Sequence, residues 1–250
     1  MRRRYLKPLV WCVWIALFLP VKVLKAGGPA AKSHSSAKAA AFAEEVSNLY
    51  DQFDLQEVGL TKKAFQYALK GYNYLLDHHW LNNPNILSIC DLSQSSRNKR
   101  LYILDMEEKK VLVNTYVAHG HNSGGEFART FSNNSSSHKS SLGFYVTQDT
   151  YYGSNGLSLK IRGMERGFND KANGRGIVVH GSEYVGPDFL QMNQFCGRSY
   201  GCPAVPADES ETIIDLIKEG TCLFIYHPTI KYLSRSKILN YSHGLTLQMV

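Results

Sequence analysis

The sequence predicts a mainly β domain with flanking helices, an α+β arrangement preceded by a helical lead-in. Three observations predict it. From Ile86 onward the chain falls into short β-branched and aromatic runs separated by polar turns. Residues 42–80 instead repeat apolar side chains at helical spacing. One further amphipathic stretch, around Ile213–Ile217, stands between the last two apolar runs.

The lead-in occupies residues 42–84. Thr61 is placed to cap a helix whose apolar side is Ala64, Phe65, Ala68, Leu69, Tyr72, Leu75 and Leu76. Gly71 lowers its intrinsic propensity, and Asn82-Asn83-Pro84 ends it. The β domain follows over residues 85–228, with strands expected at 86–90, 100–105, 111–118, 143–147, 157–161, 177–180 and 221–226. Ser93–Asn98 and Glu107–Lys110 read as hairpin connections. Gly120–Ser141 is a long loop rich in Gly, Ser and Asn, of the kind that serves function inside a compact domain. Asp208 and Glu211 have capping-box spacing for a helix that Gly220 stops. Residues 229–250 are a tail without a readable pattern.

Of the 250 residues, 44% are apolar and 20% charged, an ordinary globular composition. The net charge of +7 is concentrated at the N-terminus. Residues 1–26 hold six of the 28 basic residues and no acid, leaving 22 bases against 21 acids in the rest. So neutral a body excludes the electrostatic footprint of a nucleic-acid binder. The first 26 residues join a basic start to the apolar run Leu9–Leu19, the pattern of a signal peptide cut near Ala26 or of an uncleaved anchor. Both imply export, with membrane attachment through the N-terminus alone. Residues 27–41 are small and polar and read as a flexible linker. Past the leader four cysteines remain: Cys90, Cys196, Cys202 and Cys222. Cys90 and Cys222 lie in strand-like runs and read as buried thiols. Cys196, six residues before Cys202, could pair with it in an oxidising compartment.

Chemistry concentrates at His180-Gly181 and at Gly197-Arg198-Ser199-Tyr200-Gly201-Cys202-Pro203. A thiolate is the nucleophilic form of cysteine, and an imidazole is suited to take its proton. Cys202 sits in a turn-forming Gly-Cys-Pro rather than in an apolar run, which favours a nucleophile over a core thiol. His180 ends a β-rich run, held by a sheet yet open to a loop. The backbone N–H groups of Tyr200, Gly201 and Cys202 are candidate oxyanion donors, since Pro203 has none. Ser199 is placed to orient the His180 ring, Arg198 to meet a substrate carboxylate, and His119 and Gly181 to line a cleft. A zinc site through His119 and His121, with Cys202 or His138, is the competing use of these side chains.

These motifs resemble the L,D-transpeptidase catalytic-domain family, which remodels peptidoglycan. Ser199-Tyr200-Gly201-Cys202 with His180-Gly181 upstream is similar to its signature. Further similarity to a murein branch from Gram-negative bacteria lies in His119–Gly124, Phe131–Asn133, Ser140–Tyr145, Gly167–Asp170 and Leu60–Phe65. The resemblance spans roughly residues 58–226. It implies a β-sandwich or barrel catalytic domain, a periplasmic or cell-envelope location and no cofactor or metal. It implies Cys202 as nucleophile, His180 as base, and Ser199 and Gly201 shaping the oxyanion hole. The donor would be a tetrapeptide stem, attacked between its third, diamino-acid residue and the terminal D-alanine. Transfer to an amine of a second stem would make a 3–3 cross-link. The sequence departs from the family at Tyr200, where a His is usual, and at Pro203-Ala204, where an Arg or Asn is common. Two other functions use the same residues differently: a hydrolytic L,D-carboxypeptidase or cysteine peptidase, and an inert wall-binding module. A papain-like protease is disfavoured because its Cys precedes its His.

Overall fold

The computed structural model of the protein describes residues 30–241. The leader or anchor assigned to residues 1–26 lies outside the described residues. Two helices open the described chain, α1 (Ala30–Gln52) and α2 (Lys62–Asp77). Helix α1 begins within the segment expected to be a flexible linker, which corrects that reading. Ala37, Ala39, Ala40 and Ala41 give this stretch the residue of highest helix propensity, outweighing its lack of an apolar face. The predicted cap of α2 forms: Thr61 Oγ1 accepts a hydrogen bond from Ala64 N–H at 3.2 Å. Val46, Tyr50, Phe65, Leu69 and Leu75 from this pair are buried in the main core.

Eight strands form one sheet: β1 (Ile86–Asp91), β2 (Leu101–Asp105), β3 (Lys110–Thr115), β4 (Gly143–Gly153), β5 (Gly156–Gly163), β6 (Val178–Ser182), β7 (Ala204–Pro206) and β8 (Cys222–Tyr226). Their spatial order is β3-β2-β1-β8-β4-β5-β6-β7. The last strand in sequence is thus central, parallel to β1 and antiparallel to β4. All five of its residues are buried, which explains an unbroken apolar run where alternation would mark a half-exposed strand. The short strand β7 pairs parallel to β6, and the proline-ended triplet Ala204–Pro206 carried no readable strand pattern.

The sheet's two outer strands are linked by the chain that leaves β3. The strand predicted to reach Ala118 ends at Thr115 and turns toward β7. Ala118 N–H then donates to Ala204 O at 2.8 Å, Ser199 N–H to His119 O at 3.1 Å, and His121 N–H to Ser199 O at 2.6 Å. These bonds bring the sheet close to a closed barrel. Arg100, fully buried, fixes the same seam from inside. Its Nε and Nη2 donate to Val117 O at 3.0 and 2.8 Å, Nη1 donates to Gln94 O at 2.8 Å, and Nη2 also donates to His119 Nδ1 at 2.8 Å.

Two further readings are corrected. Helix α4 (Ser210–Ile217) follows the short helix α3 (Pro187–Met192), and its cap is Glu209 with no side-chain hydrogen bond, so the Asp208–Glu211 capping box does not form. The turn after β7 holds Asp208 one residue outside the cap, and Ser210 Oγ bonds Ala207 O instead at 2.8 Å. The tail from 229 to 241 packs on the domain, containing α5 (Ile230–Arg235) and burying Tyr232, Ile238 and Leu239, while residues 242–250 lie outside the described residues. Its anchor is Glu165, which accepts from Tyr232 OH at 2.7 Å, from Phe144 N–H at 2.9 Å and from Ser236 Oγ. Burial pushes the Glu165 carboxyl upward, and these hydrogen bonds pull it back. A polar anchor of this kind leaves no hydrophobic periodicity to read.

Gly71 is required by packing. A Cβ there would lie 1.9 Å from Phe144 Cζ, and that ring is stacked on Phe224 at 4.1 Å. Gly71→Ala should therefore destabilise the protein by about 1–3 kcal/mol despite its gain in helix propensity. A lower urea midpoint checks this; an unchanged or higher one contradicts it.

Candidate active site

Strand β6 positions His180. Ile177, Val178 and Val179 give it a β-branched body, and it lies between Ser158 of β5 and Ala204 of β7. The ring is largely buried, with Nδ1 2.9 Å from Gly181 O. A carbonyl oxygen can only accept, so Nδ1 carries the hydrogen of the neutral ring. That leaves Nε2 with a lone pair, the state a proton acceptor needs.

Cys202 lies on the neighbouring segment. The register pairs His180 with Ala204, so two residues back Val178 faces Cys202. The thiol bears this out: Val178 N–H donates to Sγ at 3.5 Å, and S–H donates to Gly176 O at 3.7 Å. The structure therefore places the cysteine two rungs from the histidine along one strand pair, with no hydrogen bond between them among the described residues. Burial pushes the Cys202 thiol up, while the Val178 N–H and the Arg175 guanidinium lower it.

The turn before Cys202 is built by Ser199. Its Oγ accepts Gly201 N–H at 3.0 Å and donates to Cys202 O at 2.6 Å, a side-chain bracket across the Tyr200-Gly201 step. Gly201 has φ +123°, and a Cβ there would come within 2.7 Å of Lys139 O and 3.1 Å of Arg175 Nη2. Glycine is dictated by both conformation and space. These contacts correct two expectations. Ser199 does not orient His180, because Gly181 O does. Gly201 N–H is already engaged, which leaves Tyr200 N–H and Cys202 N–H without a protein acceptor among the described residues.

Other expected site residues have structural partners instead. His119 is buried against Arg100, and its Nε2 has no hydrogen-bond partner among the described residues. Burial, then the Arg100 charge, depress its pKa to about 3, so it stays neutral and its lone pair serves Arg100. His121 sits in the exposed 3-10 turn His121–Ser123, and among the described residues no three His, Cys, Asp or Glu side chains are grouped as metal ligands. Arg198 donates to Gly124 O at 3.1 Å and lies over the Phe195 ring at 5.7 Å, a loop tie rather than a free guanidinium. At Gly181, which lines a cavity with Ser182, Ser210 and Glu211, a Cβ would lie 2.6 Å from Ser210 Oγ, so the close approach of α4 requires glycine. Tyr200 is 72% exposed and stacks on His138 at 4.3 Å. Cys196 is a free, buried thiol packed with Ala118, Val185 and Ala204, and Cys202 is also free, so the bridge that their spacing allows is not formed.

Sequence reasoning missed Arg175 and Tyr184. Arg175 Nη1 donates to Ser132 O at 2.9 Å and to Ser141 Oγ, and Nη2 donates to Lys139 O at 2.7 Å and Ser137 Oγ at 3.3 Å. It thus gathers the long 120–141 loop beside Gly201. Tyr184 lies against Gly197, where a Cβ would meet its ring at 2.5 Å, and its hydroxyl interacts with Ser182. Burial raises the Tyr184 pKa, and the hydrogen bond to Ser182 lowers it. Only the Arg-Gly pair ahead of a β run hinted at Arg175; its four acceptors come from residues 34–43 positions upstream.

Solved structures resemble this chain at low identity. An L,D-transpeptidase from Mycobacterium smegmatis is 11% identical, with 57% of this chain and 59% of that one aligned at a TM-score of 0.36. An L,D-transpeptidase from Mycobacterium tuberculosis H37Rv is 12% identical over 57% and 58% at 0.35. L,D-transpeptidase 3 from Mycobacterium tuberculosis is 11% identical over 57% and 61% at 0.35. The chain thus spans about three fifths of the length of these structures. No curated protein matches it. The model of the L,D-transpeptidase catalytic domain matches residues 56–226, well over half of the chain and inclusive of His180, the Ser199 turn and Cys202, so the protein belongs to the L,D-transpeptidase catalytic-domain family.

Proposed function

We propose that the protein is an exported peptidoglycan L,D-transpeptidase of the Gram-negative cell envelope, acylated at Cys202 by a tetrapeptide stem. One observation supports the reading: a cysteine in a glycine turn lies two rungs along the same strand pair from a histidine whose free nitrogen is Nε2. Export is supported by the basic and apolar N-terminal sequence. No helix among the described residues is long and apolar enough to cross a membrane.

The chemistry follows from these groups. His180 Nε2 accepts the thiol proton, and Sγ attacks the carbonyl carbon of the stem's third residue. The carbonyl oxygen becomes an oxyanion, for which Tyr200 N–H and Cys202 N–H are the unengaged donors. Collapse of the tetrahedral intermediate releases D-alanine, whose amine takes the proton held by His180, and leaves a thioester. The amine of a second stem then displaces the sulfur, forming the 3–3 amide and returning the thiol. Water in place of that amine would make the protein a carboxypeptidase.

Arg175 provides the electrostatics. Its guanidinium faces Gly201 and Cys202 with no carboxylate partner among the described residues, so its charge is available to a thiolate. The resting group is a thiol, held up by burial; the thiolate forms as the proton leaves for His180.

Incubation of the protein with tetrapeptide muropeptides should add one acyl group minus D-alanine, seen by intact mass. Cys202→Ala should show no adduct, and His180→Ala should acylate about 100- to 10,000-fold more slowly. An identical adduct on Cys202→Ala would overturn the assignment. Cross-linked dimers among the products separate transfer from hydrolysis. Independently, iodoacetamide alkylation of Cys202 should accelerate as pH rises through its elevated pKa. Arg175→Gln removes a charge that lowers that pKa, so its profile should move to higher pH, with slower alkylation at neutral pH. Arg175→Lys should recover part of the difference, and superimposable profiles for all three proteins would exclude Arg175 from this role.

A further inference from the structure

The other face of the loop that Arg175 gathers forms a cavity of about 560 Å³, lined by Phe131–Asn134, the Arg166–Lys171 turn and the start of α5. Four cations edge it: Arg129, Arg166, Lys171 and Lys231. None is in an ion pair; the salt bridge among the described residues is Lys218–Asp215, on α4. The lining's one carboxylate, Asp170, is already occupied, accepting from Asn133 Nδ2 at 2.8 Å and Gly167 N–H at 2.6 Å. The rim therefore carries an excess of three positive charges in a chain that is nearly neutral beyond its first 26 residues.

The rest of the wall mixes the polar Ser132, Asn133, Asn134 and Thr229 with Leu142 and the rings of Phe131, Phe168 and Tyr232. Phe168 meets Tyr232 edge to face at 5.1 Å, and Phe131 lies against His227 at 4.8 Å. A cationic rim over an aromatic wall suits an organic anion with several carboxylates. A single inorganic anion would leave most of such a volume unfilled, since cavities of this size hold drug-sized ligands. A chain of contacts leads from the cavity toward the Cys202 turn. Ser132 lines it, and Ser132 O is the acceptor of Arg175 Nη1, whose other nitrogen lies beside Gly201.

We propose that this cavity is a subsite for the carboxylates of a peptidoglycan stem peptide, gripped by Arg129, Arg166, Lys171 and Lys231 while another part of the strand reaches Cys202. The proposal rests on the peptidoglycan reading above. It assigns recognition to the Arg129–Asn134 and Arg166–Lys171 turns, which hold none of the groups that move protons.

Calorimetry on the full chain bearing Cys202→Ala tests it without turnover. A tetrapeptide muropeptide should bind, and more weakly as salt rises, because exposed charges are screened. The same peptide with its carboxylates amidated should bind about tenfold more weakly, as should the unmodified peptide to Arg166→Glu/Lys171→Glu. The milder Arg166→Gln/Lys171→Gln, which keeps these exposed side chains uncharged, should fall between. Equal affinity for the amidated peptide, unchanged affinity after charge reversal, or no binding of the muropeptide would each overturn the subsite. So would inorganic phosphate bound as tightly as the peptide through the same side chains. Acylation of Cys202 in the parent protein is scored separately. A carboxylate-dependent affinity without acylation would sink the transferase reading and leave the subsite standing; acylation without charge dependence would do the reverse.

Discussion

The arrangement depends on a seam of backbone hydrogen bonds between residues 118–121 and the segment Ser199–Ala204. An open eight-stranded sheet would leave β7 as a three-residue edge with one partner. A strand that short contributes few ladder bonds and cannot by itself hold a turn in place. The seam gives β7 a second neighbour and fixes both ends of the Ser199-Tyr200-Gly201-Cys202 turn. Arg100 sets the seam's position from within. Burying a guanidinium is costly unless its donors are satisfied, and here Val117 O, Gln94 O and a neutral His119 satisfy them. Displacing that segment would strand a buried cation, so the cost of moving the seam is high.

Once the turn is fixed, its chemistry is a balance of opposed terms. Burial favours the neutral thiol, whereas a backbone N–H and a nearby guanidinium favour the thiolate. His180 is held as the tautomer that accepts at Nε2 because a carbonyl faces Nδ1. Ser199 braces the turn, accepting from Gly201 N–H and donating to Cys202 O.

Legibility in the sequence follows the range of the interactions. Helix α2 and its Thr61 cap, the buried run of β8 and most strand positions were readable, because each rests on neighbours within a few residues. The alanine-rich start of α1 was misread, since propensity without an apolar face leaves a weak signal. Helix α5 and the buried Tyr232 escaped because their anchor, Glu165, lies 67 residues away. His119 looked like a cleft residue beside a glycine, but a buried arginine 19 residues upstream claims it. Arg175 went unnoticed for the same reason: nothing near it in sequence is its partner.

The sequence by itself determined the cysteine, the histidine, the glycines that permit the turn and the family to which they belong. These are local signals: a residue type in a backbone context that few other residues tolerate. Only the tertiary structure decided which N–H groups remain free, which nitrogen of His180 can accept a proton, and which cation faces the sulfur. Those outcomes depend on contacts between segments remote in sequence, brought together by closing the sheet through one short seam.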